Sequence, residues 1–128
     1  TILPKRKNLS MSIIRTGRLP IMNRVVAHQG LLHLGGVIAD DRSAGIGGQM
    51  AQIAAKIDSL LAEHGSDKRH ILSATVFTID MAHKNEMNEA WLAWLPDDAL
   101  PTRATIGVSD LGAPDILLEV TLCAAQKA

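Results

Sequence analysis

The stretch Leu31-Leu32-His33-Leu34-Gly35-Gly36-Val37-Ile38 constrains the fold more than any other part of the chain. It reads as a strand, and strand side chains alternate between two faces. Alternation puts Leu31 and Val37 on one face and Leu32, Leu34 and Ile38 on the other. A strand that is apolar on both faces needs cover on both. One layer of helices covers one face, so the second must meet another layer or another subunit. Gly35-Gly36 points to a bulge, or to another group coming close to the backbone. Residues 24–29 read as a preceding strand, joined to this one at Gly30.

Past Gly48 the apolar period changes. Met50, Ile53, Ala54, Ile57, Leu60, Leu61 and His64 form one helical stripe that ends at Gly65. Residues 69–79 return to a strand, with Val76, Phe77 and Ile79 as its β-favouring members. A second helix is predicted over about 82–95, with Met87, Ala90, Trp91 and Trp94 on one face and Pro96 closing it. The last third reads as a β-hairpin of strands 102–110 and 116–125, turned by Gly112-Ala113-Pro114-Asp115. With the turn centred near Ala113, Arg103 lies opposite Cys123, Thr105 opposite Thr121, and Gly107 opposite Glu119. One hairpin face is then core, and the other carries a cation, a carboxylate, hydroxyls and a thiol. The expected fold is α+β, in the order β-β-α-β-α-β-β. A mixed sheet with two helices on one face spans 21–128, after a flexible basic tail over 1–20.

Composition removes several function classes. A chain of 128 residues fits one domain. Thirteen basic and thirteen acidic residues cancel, so the cationic field of a nucleic-acid binder is missing. The aromatic residues are Phe77, Trp91 and Trp94, too few for base-stacking platforms. No apolar run reaches the 18 or so residues of a membrane span. The first 24 residues carry six bases and no acid, without the apolar stretch of a secretory signal. Neither nucleic acid nor membrane is expected as a partner. Cys123 is the single cysteine, which fits a reducing, cytoplasmic setting. His28, His33, His64, His70 and His83 show no metal-ligand spacing, so no metal and no cofactor is expected. Gly45-Ile46-Gly47-Gly48 lacks the remaining residues of a phosphate loop and reads as the turn leading into the first helix.

The constellation with chemical potential is Pro101-Thr102-Arg103-Ala104-Thr105 facing Glu119-Val120-Thr121-Leu122-Cys123. An arginine at the start of a strand presents a fork of donors that matches a carboxylate. From the residues alone, Arg103 either pairs with Glu119 as a surface salt bridge or clamps an anionic ligand. Asn88, read the same way, is a solvated helix residue. Cys123 reads as a small half-buried hydrophobe, and His33 as a satisfied core imidazole.

The segment Leu100-Pro101-Thr102-Arg103-Ala104-Thr105-Ile106-Gly107-Val108, followed by Leu117-Leu118-Glu119-Val120 and Ala124-Ala125, resembles the closing signature of the RidA (reactive intermediate deaminase, YjgF-like) family. Gly30–Val37, Ser73-Ala74-Thr75-Val76-Phe77 and Met87-Asn88-Glu89-Ala90-Trp91 agree with it, in order, across about residues 24–125. The resemblance implies a chorismate-mutase-like homotrimer, with helices outside, sheets around a central barrel and pockets between subunits. It also implies cofactor-free hydrolysis of 2-imino acids or enamines to 2-keto acids and ammonia. The family's Pro-x-Arg arginine falls on Arg103, which makes it the carboxylate clamp rather than a salt-bridge partner. Backbone groups near Ala104 and Thr105 would complete the cradle, with Leu34, Gly35, Asn88 and Cys123 around the substrate. Thr121 or Glu119 would hold the water.

The chain also departs from the pattern. Thr121 stands where the best-known deaminases carry a late-strand glutamate, and Glu119 matches an acidic position two residues earlier. The chain has no tyrosine for the amino-terminal part of the pocket, and Leu34-Gly35-Gly36 replaces Ser-Gly-Gln. These departures mark a side branch of the family. They leave open a trimeric binding or sensor module for small carboxylate metabolites. A ribonuclease or translation inhibitor fits the neutral charge and scarce aromatics less well.

Overall fold

The computed structural model of the chain describes residues 12–128. Six strands form one mixed sheet: β1 (Ile14–Arg18), β2 (Asn23–His28), β3 (Leu31–Val37), β4 (Ile71–Thr78), β5 (Thr102–Gly107) and β6 (Leu118–Ala125). Two helices, α1 (Ile46–Glu63) and α2 (Lys84–Trp94), complete the fold. The spatial order is β1-β2-β3-β6-β4-β5, and all neighbours are antiparallel except β4 and β5. Both helices pack on one face, as the alternation of apolar residues predicts.

That face holds the core. Met50, Ile53, Ile57 and Leu61 of α1 and Met87, Trp91 and Trp94 of α2 pack on Leu32, Leu34, Val76, Leu118, Val120 and Leu122. The start of α1 has no side-chain cap, but its end is well specified. Gly65 takes a positive φ of 75°, which lets the chain reverse. The backbone N–H of Ser66 then donates to the Leu61 carbonyl at 2.9 Å. Burial of the apolar stripe, rather than capping, drives this helix.

The two apolar faces of β3 are reconciled by a bulge. Leu34 pairs with Leu122, but Val37 pairs with Val120, so β3 gains one residue at Gly35-Gly36. The extra residue reverses the alternation, and Val37 joins Leu32 and Leu34 in the core rather than Leu31. Leu31 stays on the far face, 38% exposed. A Cβ on Gly35 would lie 2.5 Å from the Met22 Cε, so the close approach expected at this dipeptide is present.

Two expectations are corrected. Residues 14–18, expected within a flexible tail over 1–20, form β1 and pair with β2; residues 1–11 lie outside the described residues. The expected hairpin does not form. β5 pairs in parallel with β4, and β6 lies on the other side of β4. Arg103 is therefore level with Ala74, not Cys123, and Thr121 is level with Thr75, not Thr105. A connection of ten residues, 108–117, is long enough to pass the end of β4 rather than turn tightly.

Two buried polar side chains hold that connection. Thr78 Oγ1 donates to the Leu117 carbonyl at 2.8 Å, and the Val108 N–H donates to the Thr78 carbonyl at 2.9 Å. Gln49, fully buried in α1, donates from Nε2 to the carbonyls of Ala44 and Asp115, both at 3.0 Å. Its Oε1 accepts from the Leu117 N–H at 3.2 Å. One side chain thus ties the start of α1 to the crossing loop. Gln49→Leu would orphan these backbone groups and should lower unfolding free energy by about 1–3 kcal/mol, measured by urea titration. An unchanged midpoint would contradict this role.

Candidate functional site

Pairing β5 with β4 decides where Arg103 points. In-register neighbours share a face, and Arg103 aligns with buried Ala74, which aligns with buried Leu122. Arg103 and Thr105 thus lie on the helix side at the sheet's edge, while Ala104 and Ile106 face the open side. Exposure agrees, since Ile106 is 44% exposed.

On the helix side Arg103 meets α2. Its Nη2 donates to Asn88 Oδ1 at 2.6 Å, and its guanidinium carbon stands 5.0 Å from the centroid of the Trp91 ring. Among the described residues no carboxylate forms an ion pair with it. Partial burial lowers its pKa from the ordinary arginine value. A guanidinium stays protonated under such a shift, so the site holds a charge without its counter-charge. Among the described residues Asn88 is the hydrogen-bond partner of this guanidinium, which has five N–H donors. The salt bridge to Glu119 does not form.

Glu119, Thr121 and Cys123 lie on the opposite, open face. Thr121 aligns with Thr75, Cys123 with Ser73 and His33, and Glu119 with Phe77. A shallow depression of about 260 Å³ runs beside His33, Ser73, Thr75, Thr121 and Cys123. Leu34 borders it, but the Leu34 side chain is packed in the core at 4% exposure. Glu119 lies across the bulge: a Cβ on Gly36 would sit 2.6 Å from its carboxyl carbon. A side chain at residue 36 would displace that carboxylate.

The sheet therefore separates residues that a hairpin of β5 and β6 would join. Arg103, Thr105 and Asn88 gather on one side of the edge, and Thr121, Glu119 and Cys123 on the other. Gly35 sits at the bulge beside Met22. Sequence reasoning missed the Trp91 contact, because a tryptophan on an apolar helical stripe reads as core. Its signal was the i,i+3 spacing of Asn88 and Trp91, which puts both on neighbouring positions of one helix side. It also missed that His33 is the cross-strand partner of Cys123. No hydrogen bond joins that pair, and burial raises the thiol pKa. Among the described residues no three metal-ligating side chains gather, and no helix is long and apolar enough to cross a membrane.

Comparison with known proteins agrees with this architecture. The family model described as Endoribonuclease L-PSP matches residues 20–126. The chain is similar to the RutC family protein YoaB of Escherichia coli K12, 34% identical over 115 residues that cover 90% of this chain and 99% of that protein. It is similar to a RutC family protein of Haemophilus ducreyi, 34% identical over 111 residues, 84% of this chain and 94% of that one. Among solved structures, a member of the YjgF protein family from Neisseria meningitidis superposes with a TM-score of 0.86 at 33% identity, covering 92% of this chain and 98% of that one. An uncharacterised protein from Pseudomonas aeruginosa gives 0.87 at 30% identity, covering 91% and 100%.

The raised thiol pKa has a direct consequence. The thiolate is the reactive form, so Cys123 should alkylate with iodoacetamide more slowly than a free cysteine at pH 8, with its pH midpoint displaced upward. A rate equal to that of free cysteine, followed by mass spectrometry, would contradict the half-buried, unactivated thiol described above.

Proposed function

Since the chain belongs to the endoribonuclease L-PSP family, that of the YjgF and RutC proteins, we propose that it hydrolyses reactive 2-imino acids or their enamine tautomers to 2-keto acids and ammonia. The observation that carries this reading is Arg103, a half-buried guanidinium with a neutral acceptor, an aromatic face and no paired carboxylate. A substrate carboxylate supplies the missing charge through a bidentate contact. The reaction asks little more. Water adds to the electrophilic C=N carbon, the nitrogen takes a proton, and the carbinolamine collapses to a carbonyl as ammonia leaves. No electrons leave the system, and no cofactor is needed.

Thr121 or Glu119 orients the water in this scheme. Neither reaches Arg103 within one protomer, because the sheet lies between them. The site is complete when a second copy sets its open sheet face against the β5 edge of the first. Three copies related by a three-fold axis close such an arrangement into a ring. A ring of this kind also gives the exposed Leu31 its second cover.

The binding-module reading keeps one specific support, Thr121 at the position of the usual acid. One assay separates the two. An amino-acid oxidase generates a 2-imino acid in place, and the protein should accelerate 2-keto acid appearance. Arg103→Ala should cut that acceleration about 10- to 100-fold, the value of a charge-assisted bidentate contact. Saturable binding of 2-keto acids with no acceleration would favour the binding module instead.

Sharing of the site between copies has its own test. Arg103→Ala and Glu119→Gln chains, each impaired alone, should regain activity when unfolded together and refolded as mixed assemblies. Random mixing gives about a quarter of the sites both native residues. No recovery from mixed assemblies would place both residues within one copy and reject the shared cleft.

A further inference from the structure

The guanidinium of Arg103 ends a long side chain on an edge strand, yet it is held from two directions. Asn88 takes one Nη2 hydrogen at 2.6 Å, and Trp91 lies under the group at 5.0 Å. The platform is itself braced. Trp94 meets Trp91 edge-on, with ring centroids 5.6 Å apart and planes at 79°. Trp94 Nε1 donates to Asp58 Oδ1 of α1 at 2.9 Å, and the Lys68 ammonium donates to the Trp94 carbonyl at 2.9 Å. Trp91 is 5% exposed and Trp94 8%, so neither ring has room to swing. Packing against Trp94 alone would not explain why Trp91 also lies beside the cation.

We propose that Trp91 is a positioning residue for the anion site: its indole, braced by Trp94 and Asp58, holds the Arg103 guanidinium so that the remaining N–H donors meet a ligand carboxylate. This deepens the reading above and rests on it. A cation over an aromatic face is attracted by the ring quadrupole, most strongly by tryptophan. Fixing the fork before the ligand arrives removes an ordering cost at binding. The platform also explains why an arginine serves here, because a lysine has no planar group to lay against the ring.

The test uses the full-length protein and pyruvate, a stable 2-keto acid, as probe. In the wild type the Arg103 Nε–H resonance, assigned by its loss in Arg103→Lys, should be moved upfield by the indole ring current. Trp91→Phe should keep part of that displacement and bind pyruvate within about 3-fold of wild type. Trp91→Leu should lose the displacement and weaken binding about 5- to 30-fold. Absence of the ring-current displacement in the wild type overturns the inference even if Trp91→Leu fails to fold. Wild-type affinity in a folded Trp91→Leu protein overturns it as well, and leaves the carboxylate-binding reading intact. Failure of wild type to bind any 2-keto or 2-imino acid overturns that reading, and this inference falls with it.

Discussion

A positive charge half-removed from water without a counter-charge is the feature on which the functional reading turns. Withdrawing a guanidinium from solvent costs free energy unless other interactions replace its hydration. Here the replacements are a neutral amide oxygen and an aromatic face, both weaker than a carboxylate. The chain has acidic residues close in sequence to this edge, Asp97 and Asp98, yet Asp98 pairs with Arg69 instead. Arg69 on Asp98 lowers the pKa of that carboxyl, so its charge is already engaged. The unmet demand at Arg103 suits an anion that arrives and leaves. A permanent ion pair would have stabilised the resting protein at the expense of that exchange.

Where this charge sits depends on strand pairing, and that depends on small irregularities. Because Gly35-Gly36 adds one residue to β3, Val37 turns inward and the Glu119 carboxylate lies where a Cβ on Gly36 would stand. A second irregularity, between Ile71 and Ser73 of β4, leaves Leu72 outside the regular alternation and 47% exposed. A period-two lattice transmits each such shift along the rest of its strand. The parity of Ala74, and through it of Arg103, is set downstream of that shift.

The helices and the core strands were legible in the sequence because their apolar spacing is unambiguous. The stripe from Met50 to Leu61 and the alternation of Leu118, Val120 and Leu122 in the last strand both appear where expected. The partner of β5 was not legible. Ala104 and Ile106 alternate like core residues, yet they face outward, while Arg103 and Thr105 face the helices. Pattern alone assigns the apolar side inward, and the parallel register with β4, which sets Arg103 level with Ala74, reverses that assignment. Turn residues at 112–115 reinforced the error, since a chain reversal looks the same whether the strands pair directly or enclose a third. Gln49 was hidden for a related reason: a single buried amide inside a helical stripe carries no periodic signal.

The same separation bears on how much catalytic equipment such a protein needs. Positioned acid–base help typically contributes about 10²–10⁴ in rate, and Thr121 offers a hydroxyl rather than a carboxyl at the position in question. For a substrate as electrophilic as a protonated imine, orientation of the carbon toward a held water supplies a large part of what remains. Orientation in turn requires that the clamp not wander, and the Trp94-braced Trp91 with Asn88 meets that requirement from one side. Glu119, two residues from Thr121 on the same open face, lies roughly 7 Å along the strand. At that distance its carboxylate does not take the place of one at residue 121. On the proposed reading, the loss of the late-strand acid therefore shifts the catalytic burden from proton transfer toward the geometry of the clamp.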